Sequence, residues 1–138
     1  MKDKLIVVCG AGGFIGGHLV ADLLKQGHTR IRAVDLKPLD RWYQRFDGVE
    51  NLSLDLQELP ACRTATKDAC WVYNLAADMG GMGFIEKNKA LCMLSVMTNT
   101  HMLLAAQEAG VKRFFYASSA CVYNADKQKN TKITALKE

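Results

Sequence analysis

"KLIVVCGAGGFIGGHLVADLLKQG", residues 4–27, decides the fold. It opens as a continuous apolar run, "KLIVVCG" (4–10), the pattern of a strand buried on both faces of a parallel sheet. Gly10, Gly13 and Gly16 follow as G-x-x-G-x-x-G. From residue 13 to residue 27 the spacing turns helical: Phe14, Ile15, Leu19 and Leu23 are expected on one apolar face, and Gly27 supplies the stop. Strand, glycine turn, helix is an anion-binding arrangement. The first glycine permits a tight turn, the second lets backbone N–H groups approach a pyrophosphate, and the third lets helix and strand pack closely.

Outward from this stretch, short apolar runs alternate with helical spacing. "RIRAVD" (30–35) reads as a second strand and "ENLSLDL" (50–56) as a third, alternating at Leu52 and Leu54. "ACWVYNLAA" (69–77) reads as a fourth. A long helix is expected within Phe84–Ala109, stopping at Gly110, before a fifth strand, "KRFFYASS" (112–119). Repeated strand–helix–strand units predict an α/β fold: a doubly wound, Rossmann-type parallel sheet of about five strands in the order 3-2-1-4-5. Residues 1–123 form this domain in the reading, and 124–138 a polar basic tail. Ligands of such sheets sit at the carboxyl ends of the strands, near the switch point. That rule gathers Gly10–Gly16, Asp35, Asp55, Ala76–Gly83 and Ser118–Cys121.

Asp35 follows Gly16 by 19 residues, at the end of the second strand. A carboxylate there accepts hydrogen bonds from ribose hydroxyls and repels a 2′-phosphate, which favours NAD over NADP. Arg32, Lys37 and Arg41 offer the opposing counter-charge. Phe14, Ile15, Leu75, Ala76 and Ala77 are assigned to the same cofactor site. Asp55 is either a contact to the adenine edge or a helix N-cap ahead of "LQELPACR".

Composition narrows the classes. The chain has 138 residues, 49% apolar and 23% charged, which suits one globular domain. No apolar run approaches the roughly 20 residues of a membrane span, and the start lacks the form of a signal peptide. A soluble, cytoplasmic protein is expected, with no membrane partner. Cys9, Cys62, Cys70, Cys92 and Cys121 are odd in number without a C-x-x-C pair, so they read as reduced thiols serving as small hydrophobes. His18, His28 and His101 lack metal-ligand spacing, so no metal is expected. Net charge is +4, much of it in "KQKNTKITALKE". That tail lacks the interleaved aromatics of a nucleic-acid binder and reads as solvated.

With these residues in place, the sequence resembles the extended short-chain dehydrogenase/reductase family. Within it, "NLAADMGGMGFIEKN" (74–88) and "RFFYASSACVY" (113–123) are similar to the GDP-mannose 3,5-epimerases. The resemblance is weak across 36–68. It implies a nucleotide-sugar substrate, GDP-mannose, converted to GDP-L-galactose with a bound NAD that is reduced and then reoxidised. Oxidation at C4 acidifies the neighbouring C3 and C5 hydrogens, and an acid–base pair then exchanges them. By match to the family motif, Ser119 would bond the C4 oxygen and Cys121 would be one of the exchanging groups, with a lowered pKa. The loop Met79–Gly83, with Gly81, Met82 and Gly83, would lie over the nicotinamide and sugar. Ser118 would pack at the strand end. Cys9 departs from the threonine usual in the family, and Ser95 from an asparagine.

"YNADK" (123–127) spells a Tyr-x-x-x-Lys, yet Tyr123 follows Ser119 by only four positions and instead matches the tyrosine that closes the serine motif. Asn124 and Asp126 are also poor helix formers. The family's catalytic tyrosine and lysine are expected further along than residue 138, as is its substrate domain, so the isolated chain is expected to be inactive. The family commonly dimerises through the long helix, and a homo-oligomer burying Met93, Met97, Met102 and Leu103 or the edge of the fifth strand is expected. Two other readings stay open: a non-enzymatic Rossmann module for nucleotide binding or association, and a piece of another nucleotide-sugar dehydratase or reductase.

Overall fold

The structure, a computed structural model, describes residues 3–77 and 87–118. At its centre lies β1 (Ile6–Cys9), buried at every position as its uninterrupted apolar run demands. It pairs in parallel with β2 (Ile31–Asp35) on one side and β4 (Trp71–Asn74) on the other. β3 (Glu50–Ser53) extends the sheet beyond β2, and β5 (Arg113–Tyr116) extends it beyond β4. The order is β3-β2-β1-β4-β5, all parallel, as the alternation of elements predicts.

Period-two alternation in β1 sends its side chains to two cores. Ile6 and Val8 join Ile31, Ala33, Val20 and Leu23 beneath α1 (Phe14–Lys25). Val7 and Cys9 join Val34, Val72, Cys62 and Met102 beneath α2 (Leu59–Thr66) and α3 (Lys89–Glu108). The ends of α1 and α3 follow the glycine rule. Gly27 and Gly110 take positive φ, and His28 and Val111 donate back to Leu23 and Ala106.

Four expectations are corrected. The buried face of α1 is Gly16, Gly17, Val20 and Leu23, while Phe14 and Ile15 are exposed. The small glycine face must abut the turn before the helix, so the two large side chains at its entry point away. Phe14 stacks edge-on against Tyr43 and His18. Met102 is fully buried in the core, not on the open face of α3. β3 ends at Ser53, so Asp55 lies in the following turn. Ser118 is exposed and does not pack at the strand end.

Candidate nucleotide site

Gly10 leaves β1 with φ +78°, and its N–H and that of Ala11 both donate to Val34 O (2.8 and 3.1 Å), tying the turn to β2. A Cβ on Gly10 would lie 3.0 Å from the carbonyl of Leu75. A Cβ on Gly16 would collide with Gly10 O and sit 2.7 Å from Gly10 C. Gly13 differs: a Cβ there would meet only Gly10 O, at 3.3 Å, and no side chain caps the helix it opens. Among the described residues the first N–H groups of α1 are thus left for an outside acceptor.

The Asp35 carboxylate stands beside this turn. Its Oδ2 accepts from Gly12 N and its Oδ1 from Lys37 N, both at 3.0 Å. Lys37 Nζ lies 3.5 Å from Gly12 O. Arg32, a second candidate counter-charge, is committed elsewhere: it pairs with Glu50 at 2.8 Å and donates to the carbonyls of Ala65 and Lys67 at the end of α2. The expectation that it could meet a 2′-phosphate is corrected on that ground.

Asp55 Oδ1 accepts from Gln57 N at 2.9 Å and closes a turn ahead of α2, whose N-cap is Glu58. The N-cap alternative for Asp55 therefore falls. A cleft of about 360 Å³ joins these elements at the carboxyl ends of β1 to β4. Gly10, Gly13, Asp35, Asp55, Leu75, Ala76 and Ala77 all line it. Gly16 lies beneath the turn, and the side chains of Phe14 and Ile15 are directed to solvent. Leu94 and Thr98 of α3 close the far wall. Sequence reasoning missed both, because a wall supplied across the fold has no local signal. It also passed over Gly12, although the doubled glycine at 12–13 was a visible cue.

Two thiols adjoin the cleft and neither is poised for chemistry. Burial pushes the Cys9 thiol far up, with Cys62 and Asp35 adding to the effect. Cys62 is pushed up to about 11, first by burial and then by Asp55, and its Sγ–H donates to Leu56 O. Both stay neutral and fill space. Among the described residues no group of three or more His, Cys, Asp or Glu could hold a metal ion, and no helix is long and apolar enough to cross a membrane. Ser119, Cys121, Gly81, Met82 and Gly83, the stretch 123–127 and the tail at 124–138 lie outside the described residues.

Known proteins are similar to this chain in sequence and in fold. GDP-mannose 3,5-epimerase 1 of Oryza sativa subsp. indica is 45% identical over 139 residues, covering 99% of this chain and 36% of the relative. The chain therefore spans little more than a third of that enzyme's length. Among solved structures, MoeE5 in complex with UDP-glucose and NAD superposes with a TM-score of 0.73 at 30% identity, over 86% of this chain and 38% of the other. A short-chain dehydrogenase/reductase superfamily protein of Agrobacterium tumefaciens with bound NAD gives 0.63 at 28% identity, over 80% and 31%. The profile of the NAD dependent epimerase/dehydratase family matches residues 6–137. On that match over nearly the whole chain, the chain belongs to the NAD dependent epimerase/dehydratase family.

Proposed function

We propose that this chain is the NAD-binding portion of a nucleotide-sugar epimerase of the GDP-mannose 3,5-epimerase type, and that alone it holds NAD weakly without converting a sugar. The observation that carries the reading is the cleft in which Gly10, Gly13 and Asp35 meet at the switch point of the sheet. Its residues fit the adenosine diphosphate half of the cofactor. The uncapped start of α1 would hold the pyrophosphate, and the absent Cβ of Gly13 leaves room for close approach. Each Asp35 oxygen accepts one backbone hydrogen bond and retains capacity for a ribose hydroxyl. Asp55 would meet the adenine edge, and Leu75, Ala76 and Ala77 would form the wall nearest the nicotinamide.

The nicotinamide would supply reversible hydride acceptance at the sugar's C4. By resemblance, Ser119 would donate to the C4 oxygen, and Cys121 would hold or release a proton at C3 or C5. Gly81, Met82 and Gly83 would give the sugar a close backbone surface. The 45% identity to the rice enzyme supports this substrate class. The exposed side of α3 supports assembly with a second copy. A soluble, cytoplasmic location completes the reading.

Calorimetric titration with NAD tests it. Heat is expected with a dissociation constant in the high micromolar range or weaker, reduced at least tenfold in affinity by Asp35→Ala, and GDP-mannose incubated with chain and NAD should return unconverted. An absence of binding at millimolar NAD would leave a purely structural remnant, and measurable conversion would overturn the inactivity.

A further inference from the structure

The connection between β2 and β3 is solvent-facing over much of its length, yet it buries a tryptophan. Trp42 is only 9% exposed. It lies directly against Gly12: a Cβ there would fall 2.8 Å from Trp42 Cδ1. One turn further, a Cβ on Gly17 would fall 2.7 Å from Gln44 Cγ. Gly12 and Gly17 are outside the G-x-x-G-x-x-G spacing. Their missing side chains are what let this connection lie on the phosphate turn.

Four hydrogen bonds close a ring there. Gly12 N donates to Asp35 Oδ2 at 3.0 Å, and Lys37 N donates to Asp35 Oδ1 at 3.0 Å. Trp42 Nε1 donates to Lys37 O at 2.9 Å, and Tyr43 N donates to Gly12 O at 3.0 Å. The ring links the turn that would hold the pyrophosphate to the carboxylate that would hold the ribose. The side chain of Trp42 is its fastener, packing on Gly12 at one end and bonding Lys37 at the other. Trp42 itself does not line the cleft.

We propose that Trp42 is a positioning residue for the nucleotide site, locking Asp35 and the glycine turn at the separation that an adenosine diphosphate requires. The inference rests on the NAD-binding reading above. Trp42 acts through Asp35: it fixes the carboxylate before the ligand arrives, so less ordering remains at binding. Replacing it with phenylalanine keeps an aromatic ring against Gly12 and removes the bond to Lys37 O. A bond of this kind corresponds to about a fivefold change in affinity.

A double-mutant cycle on the full chain reads this directly. NAD is titrated against wild type, Trp42→Phe, Asp35→Ala and the double variant, with circular dichroism confirming the fold of each. Trp42→Phe should weaken NAD about fivefold in the wild-type background and by no more than about twofold when Asp35 is already alanine. An unchanged affinity, or the same factor in both backgrounds, would overturn the proposal, since a general packing loss ignores Asp35. Amide exchange on the ligand-free wild type gives a measurement independent of any variant. The N–H groups of Gly12 and Lys37 should be protected, and exchange at the rate of an open loop would overturn the ring. If wild type binds no NAD, the site reading fails with the inference, and the wild-type arm alone tells that apart.

Discussion

Gly13 and Gly16 are three positions apart and meet opposite constraints. Gly16 is wedged against Gly10, so Gly16→Ala must push the turn off β1. That overpacking should cost about 1–3 kcal/mol, read as a lower urea midpoint. Gly13→Ala meets only Gly10 O, at 3.3 Å. It should cost no more than about 1 kcal/mol of stability, chiefly through the poorer N-cap, while weakening NAD at least tenfold. The reverse pattern, with Gly16→Ala melting like wild type, would mean that the two glycines have been assigned the wrong roles. Both were legible in the sequence, because a glycine repeat between a strand and a helix has few other uses. So was Asp35, by its spacing. Gly12 and Trp42 were not legible as partners, since their contact depends on how an irregular connection folds back and leaves no periodic trace.

Among elements, α2 and α3 are joined at the surface by a two-pronged contact: Arg63 Nε and Nη2 reach Glu108 at 2.8 and 3.0 Å. The hydrogen bonds from Arg63 hold the Glu108 carboxyl below its usual range. A depressed native pKa gives stability that is full above the ordinary carboxylate range and is lost as pH falls through the native value. Both groups are solvated, so the contribution is small. Glu108→Gln should lower the melting temperature by about 2 °C or less at neutral pH, and the gap should close as the pH falls through the lowered native value of the Glu108 carboxyl. A gap that persists in acid would assign the effect to packing. The elements themselves were readable from hydrophobic period and glycine stops. The face of α1 was not, because periodicity ranks Phe14 and Ile15 above glycines, whereas the fold needed its smallest residues inward. Leu54 and Asp55 extended β3 on paper by alternation. In the structure Leu54 N still donates to Asp35 O, and the chain then leaves the sheet at the Asp55 turn.

For the molecule as a whole, the core shared with α2 accounts for one side of α3, and among the described residues the other side is left exposed. Thr98, Met102 and Ala105 face the sheet, while Met93, Val96, Met97, Leu103 and Leu104 lie on the opposite side and are exposed, Met93 at 63%. A helix this apolar on its outer side is not stabilised by water. Phe115 and Tyr116 on β5 are also exposed, and among the described residues β5 pairs on one side only, with β4. Uncovered apolar patches of about 300 Å² or more usually mark an interface, and an unpaired strand edge invites another chain. A homodimer or larger assembly is therefore expected at tens of micromolar, measured by light scattering. Met93→Glu with Met97→Glu should shift it to monomer while circular dichroism shows the fold unchanged, because neither side chain belongs to a core. If the doubly charged variant stays assembled, the interface is the edge of β5. A wild type that is cleanly monomeric at that concentration removes the second copy from the reading and leaves the bare side of α3 without an occupant of this chain's own kind.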